Sequence, residues 1–153
     1  MALHGRGFVR FIDDLTARGL WRPQQRSVLF IETVLQSSRM ATAETLEAAE
    51  ASGWRIGGVH YVPAEGTDWG SVVELIHRTD PGAIMVTDFL PAELAGFQRR
   101  YAETPTDALV FAVYSPSVPE FLETARGAAE GLVWSTVTGT YGDEMGDRFT
   151  RHF

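Results

Sequence analysis

At 153 residues, 44% of them apolar and 22% charged, the chain has the balance of a folded domain and is long enough to bury a core without disulfides or metal. All 13 basic residues are Arg and Cys is absent, which removes Schiff-base lysines, Walker-type phosphate lysines, thiol nucleophiles and thiolate zinc sites together. The net charge is −7 and the Arg residues are spread along the chain, so no basic stripe could follow a nucleic-acid backbone, and no window approaches the ~20 apolar residues of a membrane span.

The elements alternate between helix and strand, the pattern of a parallel sheet covered on both faces. Phe8, Phe11, Ile12 and Leu15 recur at helical spacing and predict an opening helix over Gly7 to Arg18, closed off by Pro23. Ser27 to Thr33 (SVLFIET) is a short, continuous apolar run, as a strand buried on both faces requires. A helix from about Ser38 to Ala51 follows, then a second strand, Trp54 to Val62. Breaker residues Pro63 to Thr67 lead to an N-cap at Asp68 and a helix that buries Trp69, Val72, Val73 and Ile76.

Asp80-Pro81-Gly82 introduces a third strand at Ala83 to Thr87, and Pro91 opens a helix carrying Leu94, Phe97 and Tyr101 inward. Ala108 to Tyr114 is the fourth strand. Ser117 and Glu120 stand at capping-box spacing, predicting a helix from there to about Ala129. Leu132 to Thr138 is the fifth strand, and Met145, Phe149 and Phe153 lie four apart on a last helix. Residues 1–153 thus form one domain, a three-layer α/β/α unit with a mostly parallel five-stranded sheet of flavodoxin-like order 2-1-3-4-5.

Ligands of such a sheet bind outside the carboxyl ends of its strands, which confines the search to five segments. These are Glu32 to Ser38, Pro63 to Thr67, Asp88 to Leu90, Tyr114 to Ser117 and Thr138 to Tyr141. Glu32 and Asp88 end neighbouring strands and could pair around an ammonium or a divalent cation, or could serve as a cap and a solvent-facing carboxylate. Tyr61, Trp69, Phe89, Tyr114 and Tyr141 could line a solute pocket, with core packing the better reading for Trp69.

Several chemistries are missing their residues. A phospho-accepting receiver needs a second acid beside Glu32, where Thr33 stands, and a Lys after the fifth strand. Val34 to Ser38 lacks the Gly of a flavin phosphate loop, and no G-x-G-x-x-G follows a strand. His4, His60, His77 and His152 are scattered, and Ser115 lacks the flanking glycines of a nucleophile elbow. No catalytic residue, cofactor or metal site is expected.

Two stretches carry a family resemblance. Val59 to Ile76 (VHYVPAEGTDWGSVVELI) with Thr79 to Ile84, and Tyr114 to Gly131 (YSPSVPEFLETARGAAEG) followed by VWSTVTG, resemble the type I periplasmic solute-binding proteins. This is the branch serving branched-chain amino acids, amides and urea. Gly5-Arg6-Gly7-Phe8 is similar to that family's helix leading into its second lobe.

The resemblance implies lobe two of a two-lobed, extracytoplasmic receptor that clamps a small polar solute and hands it to an ABC permease. The first lobe is then missing, and so is the export signal, since Met1 to Gly7 contains no apolar stretch before a cleavage site. By the same resemblance Glu32, Thr33, Asp88 and Tyr114 occupy ligand-edge positions, with Phe89 and Ser115 beside them. Leu35-Gln36-Ser37 replaces the family's usual aromatic and Gly, and Ser115 replaces a common Gly before Pro116. Alternatives on the same elements are a ligand-sensing domain of a regulatory protein, a stand-alone flavodoxin-like domain, and a small-molecule enzyme.

Overall fold

The computed structural model describes residues 2–136, with side chains from residue 5. The predicted helix at Met145, Phe149 and Phe153, the end of the fifth strand at Thr138 and the Thr138 to Tyr141 segment lie outside the described residues.

Five parallel strands, β1 (Ser27–Thr33), β2 (Arg55–Val62), β3 (Ala83–Thr87), β4 (Leu109–Val113) and β5 (Val133–Ser135), pair in the order β2-β1-β3-β4-β5, as the sequence pattern predicts. β1 and β3 are buried at every residue, because helices cover both faces and neighbouring strands flank both edges. Val28, Phe30, Met85 and Phe111 pack with Phe8 and Ile12 of α1 (Ala2–Ala17) and Ala49 of α2 (Gln36–Ala51). The alternate residues Leu29, Ile31, Ile84, Val86 and Ala112 point the other way. They meet Val72 and Ile76 of α3 (Trp69–Thr79), Leu94 and Phe97 of α4 (Pro91–Glu103) and Phe121 of α5 (Pro119–Ala125). Period-two alternation thus builds two cores from one sheet.

Local chemistry sets the helix ends. Asp68 caps α3, its carboxylate accepting from the Ser71 N–H and hydroxyl at 3.3 and 2.6 Å. α1 starts earlier than Gly7 and stops at Ala17. The stop is Gly19, at φ 69°, with Gly19 N–H donating to Thr16 O and Leu20 N–H to Leu15 O, so Pro23 does not end the helix as its sequence position suggested. α2 ends on the same motif, with Gly53 N–H to Glu50 O and Trp54 N–H to Ala49 O.

The capping box at Ser117 does not form. Ser117 lies in a 3₁₀ turn, Ser115–Ser117, and its hydroxyl donates back to Tyr114 O. Pro119 takes the first helical position of α5, where a missing N–H costs nothing, and so moves the cap to Val118. α5 then stops at Ala125, and Arg126 to Ala129 form a 3₁₀ turn in place of the predicted helical continuation.

The β1–β2 ladder carries a bulge. Val28 pairs with Ile56 but Leu29 pairs with Gly58, so Gly57 is the extra residue and Gly58 sits at φ 138°. From there on β2 is advanced by one residue, and Tyr61, not His60, lies beside Glu32.

Gly5 and Gly7, two residues apart and so on opposite faces of α1, are expected to respond oppositely to alanine. A Cβ at Gly5 would stand 2.8 Å from the Thr45 backbone N of α2, whereas one at Gly7 meets nothing within 4 Å. Gly5→Ala should lower the urea-unfolding free energy by about 1–3 kcal/mol through overpacking. Gly7→Ala should raise it by about 0.5–1 kcal/mol through helix propensity.

Candidate ligand-binding edge

The strand order reverses between β1 and β3, and at such a switch point the connections leave toward opposite faces and open a crevice at the carboxyl ends. Buried hydroxyls tie this edge together. Thr33 Oγ1 donates to Thr87 O at 2.9 Å and pairs with Ser38 Oγ at 2.5 Å. Thr87 Oγ1 in turn reaches Ile31 O and Thr42 Oγ1 of α2 at 3.4 and 3.3 Å. Ser115 Oγ donates to Asp88 O at 2.8 Å, joining the loop after β4 to the loop after β3. All five side chains are closed to solvent, so where the ladder ends, hydroxyl bonds continue it.

Asp88 is fully buried; its Oδ1 accepts from the Leu90 N–H at 2.8 Å, while Oδ2 has no partner. Burial pushes its carboxyl up to about 6 against the opposing Leu90 hydrogen bond, and Glu93 on the first turn of α4 adds to the rise. Phe89 is half-buried and its ring lies 6.5 Å from that of Tyr114, which is 40% exposed. Tyr114 occupies φ 62°, ψ −61°, the strained γ-turn region, held by its N–H to Ser135 O and by Ser117 N–H to its own carbonyl.

Glu32, at the end of β1, is 3% exposed and has Arg39 Nε at 4.0 Å from Oε1. The Glu32–Asp88 pair, one of the two readings open from the sequence, is not seen. Glu32 lies opposite Thr87 in the register, and the two carboxylates have separate partners, Arg39 and Leu90. Among the described residues no group of three His, Asp or Glu side chains could hold a metal ion.

Of the six residues singled out, the structure brings Thr33, Asp88, Phe89, Tyr114 and Ser115 together around the β1, β3 and β4 ends. Glu32 turns toward α2. Trp69 is core, packed edge-on against Phe97. Thr42 and Thr87 were missed, since a Thr inside a helix or closing a strand has no sequence mark of a hydrogen-bond network.

These features define an α/β unit that matches the lobes of type I periplasmic binding proteins. No protein-family model and no curated protein matches the sequence. Among solved structures, a protein provisionally assigned as a branched-chain amino acid ABC transporter from Silicibacter pomeroyi aligns over 99% of this chain at 28% identity and TM-score 0.90. A leucine-binding protein, LivK, from Thermotoga maritima aligns over 99% at 16% identity and TM-score 0.81. An ABC-transporter solute-binding protein from Rhodopseudomonas palustris, in complex with 3,4-dihydroxybenzoic acid, aligns over 98% at 19% identity and TM-score 0.72. The chain spans 38%, 41% and 40% of those three chains, respectively. Its structural neighbours are thus branched-chain amino acid ABC-transporter proteins and related periplasmic binding proteins. Among the described residues no helix is long and apolar enough to cross a membrane.

Because the folded state holds the Asp88 proton more tightly than the unfolded chain, its effect on stability should fall as pH rises from the ordinary 3.8 to about 6. The difference in unfolding free energy between the native chain and Asp88→Asn, measured by urea at pH 4 and pH 7, should change by up to about 3 kcal/mol in that direction. At the strained position, Tyr114→Gly and Tyr114→Ala lose the same ring. The Gly variant should nevertheless be the more stable by about 1 kcal/mol in the same assay, because only Gly adopts the positive φ without cost.

Proposed function

We propose that the chain is the second lobe of an extracytoplasmic solute-binding protein that delivers an amino acid or related small amide to an ABC permease, and that it carries out no catalysis. The observation behind this reading is the alignment of 99% of the chain, at 28% identity, with 38% of a protein assigned to branched-chain amino acid transport. The order of the sequence motifs, from Val59 to Ile84 and from Tyr114 to Gly131, supports it independently.

Physically, one wall of a binding crevice stands at the carboxyl ends of β1, β3 and β4. Phe89 and Tyr114 offer a solute an aromatic surface. Thr33, Asp88 and Ser115 hold that surface from beneath, while Glu32, one residue before Thr33 on β1, turns away from it toward α2. A solute on this wall is covered on one side only. A facing lobe would supply the remaining contacts, and closure of the two would expel water and present the closed form to the permease.

Isothermal titration of the 153-residue chain with leucine, isoleucine and valine should therefore give dissociation constants weaker than about 1 mM, because half the contacts are missing. Micromolar binding by this chain alone would overturn the two-lobe reading. So would a native reading frame that encodes no facing lobe.

A further inference from the structure

Away from the Phe89–Tyr114 wall, α2 and the edge strand β2 enclose a groove of about 420 Å³, within the roughly 300–1,000 Å³ of small-molecule sites. Its floor is the Glu32 carboxylate, and its walls are Leu46, Val59 and the ring of Tyr61, which is 60% exposed. The bulge at Gly57 and Gly58 creates this arrangement. With an unbroken register His60 would stand opposite Glu32; with the bulge, Val59 and Tyr61 share its face of the sheet.

The carboxylate is left short of donors. Its side chain is 4% exposed, and among the described residues no hydrogen bond reaches either oxygen. Thr42, which also lines the groove, pairs its hydroxyl with that of Thr87. Among the described residues the cation lining the groove is Arg39, whose Nε stands at 4.0 Å, beyond hydrogen-bond range, on a side chain that is 66% exposed. A carboxylate so enclosed, with no hydrogen bond, leaves acceptor lone pairs that a charged N–H donor at closer range would fill.

We infer that this groove is a second binding site, distinct from the crevice, for a small organic cation whose ammonium bonds Glu32 while its apolar body lies against Leu46, Val59 and the Tyr61 ring. The exposed aromatic face adds a cation–π attraction, and Arg39, as the resident but poorly placed cation, competes with the ligand.

The test is a titration of the ¹⁵N-labelled chain with butylammonium, followed by amide shifts, against the neutral 1-butanol. Butylammonium should shift Ala43, Val59 and Tyr61 saturably and butanol should not. Glu32→Gln should weaken binding by about tenfold or more through loss of the charge. Arg39→Ala should tighten it by roughly threefold by removing the competitor. Tyr61→Ala should weaken it by a similar factor. Arg39 and Tyr61 are exposed, so these two variants decide the matter even if Glu32→Gln fails to fold. Equal affinity for butanol, weaker binding by Arg39→Ala, or no saturable shift at these amides would overturn the site. Shifts confined to Phe89 and Tyr114 would place the amine in the crevice and overturn it too, while leaving the solute-binding reading standing.

Discussion

β1 has a strand hydrogen-bonded along each edge and a helical layer against each face, and the rest of the molecule is arranged around that confinement. A strand enclosed in this way can offer neither backbone nor side chain to water, so the middle of SVLFIET, Val28 to Ile31, has to be apolar. Its last two residues are still laddered and just as enclosed, but the apolar run has stopped. Glu32 and Thr33 are buried polar groups, and each needs a partner. Thr33 finds two, Ser38 and the Thr87 carbonyl. Glu32 finds only a distant Arg39. Of these adjacent residues, one is tied into the structural edge and the other keeps unfilled acceptor positions.

The same edge carries part of the conformational cost of the fold. Tyr114 is held at positive φ by backbone bonds to Ser135 and Ser117, and Asp88 is sealed in with one oxygen unanswered. Neither feature helps the isolated domain. Such residues persist where the surroundings over-determine them, and they cluster where a binding surface has to be held in place. At the amino ends of the strands the packing is conventional. Trp54 donates its indole N–H to Asp13, stacks on Trp21 and receives the Arg26 guanidinium over its ring, so α1 is anchored far from the crevice.

Much of this was legible in the sequence. Ser27–Thr33 and Ala83–Thr87 appear at the predicted bounds because both are short apolar runs between breakers, a pattern with one outcome in a parallel sheet. Asp68, Pro91 and the buried set Trp69, Val72, Val73 and Ile76 also stand as read, since caps and helical periodicity act within one or two turns. The errors fell where two local signals competed. Gly19 ended α1 before Pro23 could, and Pro119 displaced the Ser117 cap.

The amino-acid sequence by itself therefore determined the element order, the two-faced burial of the central strands and the positions of Glu32, Thr33, Asp88, Phe89, Tyr114 and Ser115 near strand ends, because each follows from composition or spacing over a few residues. Tertiary structure alone decided which of them meet. The bulge at Gly57 sets whether His60 or Tyr61 stands beside Glu32, and strand register turns Glu32 toward α2 and away from Asp88. Register is a relation between segments tens of residues apart, and a one-residue slip reverses the face of every side chain beyond it, so no local pattern encodes it.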